Sequence, residues 1–186
     1  SNKYELRCSS QGVHSIRDKV SELLNIEAKD LRVITTDVGG GFGMKLFNYP
    51  EYICSLFAAK KIGRPVKWVS ERTEAFLSDT HGRDHVTKAK MALDKDGIFL
   101  GIKINTTANL GAYLSNFAIF IPTLAGTAML AGCYKTPAIY VNVLGVFTNT
   151  PAIDAYRGAG RPEASFVIER LVDIAGIKNG LGPIEI

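Results

Sequence analysis

Three stretches of the 186-residue sequence bring chemistry-bearing residues close together. The first is Asp37-Val38-Gly39-Gly40-Gly41-Phe42-Gly43-Met44-Lys45. Glycines permit positive φ and let a ligand approach the main chain closely. Successive N–H groups in such a run can converge on an anion. The second is Asp154-Ala155-Tyr156-Arg157-Gly158-Ala159-Gly160-Arg161-Pro162-Glu163-Ala164. Two arginines bracket Gly-Ala-Gly where Pro162 opens a helix. Helix-start N–H groups favour anions, and guanidinium forks add bidentate contacts. That pattern suits a pyrophosphate or an oxyanion. The third, Asp79-Thr80-His81-Gly82-Arg83-Asp84-His85, crowds two His, two Asp and an Arg together.

Each stretch has a plainer explanation. The glycine run also fits a tight turn required for packing. The arginine loop also fits a solvated surface loop. His81 and His85 have the i, i+4 spacing of helical metal ligands, but Gly82 and the adjoining strand oppose a helix, which favours solvated or hydrogen-bonded histidines. Two phosphate motifs are excluded at the glycine run. A Walker loop needs Gly before the Lys and Ser/Thr after it, where this chain has Met44 and Leu46. A dinucleotide fingerprint starting at Gly39 meets Met44 at its last glycine, and no regular βαβ unit surrounds the run.

These stretches need elements to hold them. Tyr4 to Ser9 alternates like a strand, and Leu31 to Val38 is a β-branched strand leading into the glycine run. Between them, Ser15 to Leu24 carries apolar residues at Ile16, Val20, Leu23 and Leu24. That spacing predicts an amphipathic helix capped by His14 or Ser15. Pro50 opens a helix through Lys60, which Gly63 and Pro65 end. Val66-Lys67-Trp68-Val69 predicts a strand, with the single Trp in the core or half-buried. Glu74 to Leu77 adds a helical turn. Val86 to Leu93 and Ile98 to Ala108 form a hairpin about Asp94-Lys95-Asp96-Gly97. Pro122 to Leu130 predicts a buried helix, Ala138 to Phe147 a strand, and Pro162 to Ala175 a helix. Helices and strands without regular βαβ order give an α+β fold in two interlocked layers, mixed sheets with packed helices.

Composition sets outer limits. The chain is 46% hydrophobic and 22% charged, which is globular and not disordered. The net charge of +4 comes from dispersed residues, so neither nucleic acid nor a membrane surface is expected as a partner. Cys8, Cys54 and Cys133 contain no C-x-x-C pair, so each is read as a small buried hydrophobe. An odd count fits a reducing, cytoplasmic setting. The longest apolar stretch, 117–130, is too short to span a bilayer. Ser1-Asn2 reads as a cloning scar. With no initiator Met, residues 3–186 are expected to be the first cofactor domain of a larger protein.

The motifs together resemble the molybdopterin-binding large subunit of the molybdenum hydroxylases: xanthine dehydrogenase, aldehyde oxidase and carbon monoxide dehydrogenase. The resemblance runs over nearly the whole chain. It rests on Ser9-Ser10-Gln11-Gly12-Val13-His14-Ser15-Ile16-Arg17, the glycine run, Gly63-Arg64-Pro65-Val66-Lys67-Trp68, Thr80-His81-Gly82-Arg83-Asp84, Ala108-Asn109-Leu110-Gly111-Ala112-Tyr113, Phe147-Thr148-Asn149 and the arginine loop. It implies a fold of the molybdenum-cofactor-binding-domain type. The implied cofactor is a molybdopterin dinucleotide, in cytosine form, carrying Mo. Gln11 matches the glutamine that hydrogen-bonds an oxygen ligand of the metal. Gly40, Gly41, Phe42 and Gly43 match the loop along the dithiolene. Arg157 matches the arginine beside the pterin. Gly158 and Ala159 match positions near the substrate channel, and Arg83 is similar to a substrate-side arginine. No residue here ligates the metal directly.

The implied reaction is hydroxylation of an aldehyde, an N-heterocycle or a small substrate like carbon monoxide, with water as the oxygen source. A glutamate base activates a metal-bound hydroxide, and electrons leave through 2Fe-2S clusters to FAD in partner subunits. The family's base lies further toward the C-terminus, in the remaining half of the subunit. Glu51, Glu74 and Glu163 are therefore not assigned that role, and the 186-residue chain alone is expected to be inactive. Copper-dependent carbon monoxide dehydrogenases carry Ala-Tyr-Arg-Cys-Ser-Phe-Arg where this chain reads Ala155-Tyr156-Arg157-Gly158-Ala159-Gly160-Arg161. Copper(I) wants sulfur. The expectation is a member of the carbon monoxide dehydrogenase-like group that acts on an aldehyde or N-heterocycle. Two alternatives stand beside it. One is a non-catalytic, degenerate homologue or assembly module. The other is a nucleotide-binding domain, for which no binding of ATP or NAD is expected.

Overall fold

The computed structural model describes residues 3–182 and 184–186. The expected cloning scar at Ser1-Asn2 lies outside them. The chain divides into two compact units, Ser1–Asp79 and Thr80–Ile186. The fold is α+β, with mixed sheets and packed helices.

In the first unit, strand β1 (Tyr4–Arg7) and strand β2 (Leu31–Ile34) pair in parallel, Tyr4 opposite Leu31. Helix α1 (Val13–Leu24) makes the crossover between them. One short βαβ unit therefore exists, but it precedes the glycine run, which follows its second strand and lies within no such unit. Ile16 and Val20, four residues apart, are fully buried against Leu6, Leu31 and Leu56. Burying each is worth about 1.5–3 kcal/mol. The cap of α1 also differs from expectation. Gly12 is the N-cap and no side chain caps it; Ser15 Oγ instead donates to the Gly12 carbonyl at 2.9 Å. Helix α2 (Pro50–Ile62) begins on Pro50 and stops at Gly63, whose φ of 65° a side chain would strain. Helix α3 (Arg72–Ser78) is a full element with a Glu71/Glu74 capping box.

Residues 66–69 form no strand. Trp68 is 42% exposed and is not core. A β-branched run becomes a strand only against a partner strand, and none pairs here.

The second unit is built on a three-stranded sheet in the order β3-β4-β5. Strands β3 (His85–Leu93) and β4 (Phe99–Gly111) form the expected antiparallel hairpin. Its turn is closed by Asp94 Oδ1, which accepts from the N–H groups of Asp96 and Ile98, both at 2.9 Å. Strand β5 (Ile139–Phe147) adds in parallel to β4. Helix α4 (Arg161–Asn179) lies over one sheet face, where Ala164 and Ile168 pack on Ile102, Ile104 and Leu130. The expected helix over 122–130 forms in part: Ile121–Ala125 is a π-helical turn, residues 126–127 continue as α-helix, and 128–130 close in hydrogen-bonded turns. Wide π turns are rare and often mark functional sites.

Cys54 and Cys133 are exposed and Cys8 is half-buried, so the expectation of three buried thiols is corrected. No helix among the described residues is long and apolar enough to cross a membrane.

Candidate functional site

In the first unit the glycine run leaves β2 and doubles back beneath Gln11. Gly39, Gly40 and Gly43 have φ of 66°, 99° and 97°, and Phe42 between them has φ 53°. The run therefore uses the left-handed freedom that glycine supplies. Gln11 reaches across it. Gly43 N donates to Gln11 Oε1 at 3.0 Å, and Lys45 N donates to the same oxygen at 3.3 Å. Gln11 N in turn donates to the Lys45 carbonyl at 2.9 Å. Both loop donors fix the carboxamide oxygen, so the amide nitrogen is the end left to donate outward. The side chain is packed down on Gly41, where an added Cβ would sit 2.3 Å from Gln11 Cδ. Lys45 Nζ donates to the Val38 carbonyl and staples the base of the loop. A cavity of about 1370 Å³ opens beside the run, lined by Gly39 to Phe42 and by Arg7, Lys60, Arg64 and Lys67.

In the second unit the arginine loop turns through three consecutive positive φ angles: Gly158 at 95°, Ala159 at 42° and Gly160 at 92°. Ala159 N donates to the Tyr156 carbonyl at 2.7 Å, and Arg161 N to the Gly158 carbonyl at 3.2 Å. The loop is anchored on both sides. Upstream, the Asp154 carboxylate is 2% exposed. It accepts from Ala155 N at 2.5 Å and Phe117 N at 3.1 Å. Downstream, a Cβ on Gly160 would stand 2.7 Å from the Ile121 carbonyl oxygen, so the loop packs directly on the π-helical turn. Arg157 and Gly158 are exposed at the loop's tip.

The third stretch belongs to this second cluster. Residues 81 to 84 run beside 152 to 157. His81 N donates to the Ala152 carbonyl at 3.0 Å, and Asp154 N to the His81 carbonyl at 2.8 Å. Arg83, itself at φ 56°, turns its guanidinium onto the loop. It donates from Nη2 to the Arg157 carbonyl and lies 4.7 Å from the Tyr156 ring centroid. It also stands 3.6 Å from the Glu163 carboxylate, an ion pair without a hydrogen bond. Gly82 lets the two segments close, since its Cβ would fall 2.4 Å from Tyr156 Cβ.

The histidine pair is not helical: His81 makes an isolated bridge to Ile153 and His85 begins β3. Among the described residues no group of His, Cys, Asp and Glu could hold a metal ion. Burial lowers the His85 pKa, while Glu163 and Asp84 pull it back upward.

Each unit thus gathers its own candidates: Gln11 with Gly40, Gly41, Phe42 and Gly43, and Arg83 with Arg157, Gly158 and Ala159. Residue types and spacing alone did not assign a role to Tyr156, Glu163, Asn109 or Lys45. They meet their partners only through the fold, although Asn109 and Lys45 stand in conspicuous Asn-Leu-Gly and Gly-rich runs.

A family model for the molybdopterin cofactor-binding domain matches residues 1–186. The carbon monoxide dehydrogenase large chain of Hydrogenophaga pseudoflava is 37% identical, over 96% of this chain and 22% of its own length. The gamma subunit of the 6-hydroxypseudooxynicotine dehydrogenase complex of Paenarthrobacter nicotinovorans is 34% identical, over 93% of this chain and 22% of its own. The crystal structure of quinoline 2-oxidoreductase from Pseudomonas putida 86 superposes with a TM-score of 0.92 at 33% identity, covering 97% of this chain and 23% of that one. The chain therefore spans under a quarter of the length of these relatives.

Proposed function

The chain belongs to the molybdopterin cofactor-binding domain family, and from that premise we propose that it is the first cofactor-binding domain of a molybdenum hydroxylase large subunit. The observation that carries this reading is the locked carboxamide of Gln11. Its oxygen is held by two loop N–H groups, so its nitrogen is the end that would donate a hydrogen bond to the bound cofactor. A hydrogen bond of that kind tunes a metal through its ligand. The residues fit the cofactor in other ways. Gly39 has nothing within 4 Å of where a Cβ would stand, so a flat ring system can lie against the main chain there. Lys60, Arg64 and Lys67 stand among the residues lining the adjoining cavity, together with Glu5, Glu51 and Asp79, and could meet a phosphate there.

When bound, the molybdenum cofactor supplies two-electron oxidation of an electron-poor carbon, with water as the oxygen source. Gly40, Gly41, Phe42 and Gly43 would hold the dithiolene end through their backbone. Gln11 would donate a hydrogen bond from its carboxamide nitrogen. Arg157 would bind the pterin through its guanidinium, and Gly158 and Ala159 would form part of the substrate channel. The base comes from outside these 186 residues. The dinucleotide is of the cytosine form, and 2Fe-2S and FAD subunits carry electrons away. One relative is itself named as a subunit of a dehydrogenase complex, which supports a multi-subunit assembly.

The substrate is an aldehyde or an N-heterocycle. A copper-binding thiolate would have to stand next to Arg157, where Gly158 lies at φ 95°. A Cβ there would sit 2.5 Å from Pro162 Cγ. The backbone as well as the residue type opposes a cysteine. The test is oxidation of aldehydes and N-heterocycles in heavy-oxygen water by the complete subunit with its redox partners. Labelled product is expected. Oxidation of carbon monoxide with copper present, or product carrying oxygen from O2, contradicts the reading. The 186-residue chain alone is expected to show no turnover.

A further inference from the structure

We infer that Arg83 is a positioning residue, which holds the Arg157 loop in its left-handed course and leaves substrate contact to other groups. Three separate contacts commit its guanidinium to this chain. Its Nη2 donates to the Arg157 carbonyl across 74 residues of sequence. Its Cζ lies over the Tyr156 ring, 4.7 Å from the centroid. Its charge faces Glu163, whose carboxylate is 16% exposed, at 3.6 Å. Glu163 stands in the first turn of α4 and Tyr156 at the start of the loop, so Arg83 bridges the loop's two ends. A guanidinium presents several donors in a fixed planar fork, so it can face the ring, the carbonyl and the carboxylate together; an ammonium is a compact point charge without that fixed spread.

The other side of the 80–84 segment is pinned as firmly. Asn109 is 8% exposed and uses every polar atom of its amide. Its Nδ2 donates to Asp84 Oδ2 at 2.8 Å and to Thr150 Oγ1 at 2.9 Å. Its Oδ1 accepts from Gly111 N at 2.7 Å and Thr148 Oγ1 at 2.8 Å. The Asn109 main-chain N–H donates to the Asp84 carbonyl at 3.0 Å. The positive φ of Arg83 sends Asp84 toward this network and the guanidinium toward Arg157. The clamp therefore has a fixed end at Asn109 and a working end at the Arg157 carbonyl. Three consecutive residues of the loop hold positive φ, one of them alanine, and such a course persists only where its surroundings enforce it.

The consequence for cofactor binding rests on the role proposed for Arg157, but the clamp itself does not. Two measurements separate them. Amide hydrogen exchange on the chain without cofactor tests the clamp. In Arg83→Ala, exchange at Ala159 and Arg161 is expected to rise by at least ~10-fold, while the interior of α4 and of β4 is unchanged. Arg83→Lys restores protection only in part, and Tyr156→Leu, which leaves Arg83 in place, raises exchange at the same amides. The second measurement uses the complete subunit with its cofactor. A positioning role predicts that Arg83→Lys loses pterin on gel filtration faster than wild type, while the molecules that keep it show an unchanged KM. Unaltered exchange at 159 and 161 in both Arg83→Ala and Tyr156→Leu overturns the clamp. A raised KM with undiminished pterin overturns it in favour of direct substrate contact. A wild-type subunit without pterin would sink the cofactor reading while leaving the exchange result standing.

Discussion

Gly43 N donates to Gln11 Oε1 at 3.0 Å, joining the loop before α1 to the glycine run after β2 across 32 residues of sequence. The bond decides which end of the carboxamide faces outward, and so makes donor and acceptor roles separable by substitution. Gln11→Glu keeps an acceptor for the N–H groups of Gly43 and Lys45 but has no proton to donate when ionised. Its stability is expected to stay within about 0.5 kcal/mol of wild type. The Mo(V) electron paramagnetic resonance spectrum of the loaded subunit shifts. Gly41→Ala does the opposite: its Cβ displaces the Gln11 carboxamide. The Gly43 and Lys45 amide resonances are then expected to move even in the chain without cofactor.

Gly160 meets a rigid neighbour where Gly41 meets a flexible one. Its φ is 92°, and a Cβ would lie 2.7 Å from the Ile121 carbonyl oxygen and 2.9 Å from Gly126 N, all backbone. Gly160→Ala is expected to cost roughly 2–4 kcal/mol, from strained φ together with the clash. Denaturant unfolding followed by circular dichroism reads it as a lowered midpoint.

Gly158→Cys supplies the missing thiol beside Arg157. The Pro162 ring occupies the space of its Cβ. The substitution is therefore expected to lower stability and to bind no stoichiometric copper(I), measured by metal analysis after anaerobic loading and desalting. Tight copper binding with unchanged stability shows that the loop readily adopts a second course.

His85 gives the second unit a pH dependence of known sign. Burial lowers its folded pKa below the ordinary value of 6.5, against the opposing pull of Glu163 and Asp84. The unfolded chain then binds the proton more readily than the folded one, so stability rises with pH across the interval between the two values. The contribution is complete above about pH 6.5 and is lost as pH falls from there toward the lowered folded value. Plotting the unfolding midpoint against pH, His85→Gln is expected to flatten the curve in that interval relative to wild type.

Much of this scaffold was legible in the residues because its signals are local. Ile16 and Val20 recur at helical spacing, Pro50 and Pro162 sit at helix starts, and Asp94 to Gly97 is turn chemistry. The helix over 122–130 was legible as helix but not in its register, because apolar content marks burial and not which carbonyl each N–H meets; the chain widens to a π turn at Ile121–Ala125. Val66 to Val69 has strand composition but no partner strand. Cys54 and Cys133 are exposed because helix and loop geometry, which a lone residue type does not report, turns them outward. Most of the candidate residues stood out in the glycine and arginine runs and Arg83 in the His/Asp stretch, whereas Gln11 was marked only by the family resemblance. Their mutual arrangement did not stand out, because Arg83 meets Arg157 and Gln11 meets Gly43 only after the chain has folded.

The central claim is that these residues hold a molybdenum–pterin cofactor. The most direct measurement is the molybdenum and pterin content of the complete subunit, purified from a host that makes the cofactor. Molybdenum is read by mass spectrometry and pterin by fluorescence after oxidation. Wild type is expected to carry both in equal, stoichiometric amounts, and Arg157→Ala to retain much less of each. A well-folded wild-type subunit with neither, or an Arg157→Ala variant with full content of both, contradicts the account.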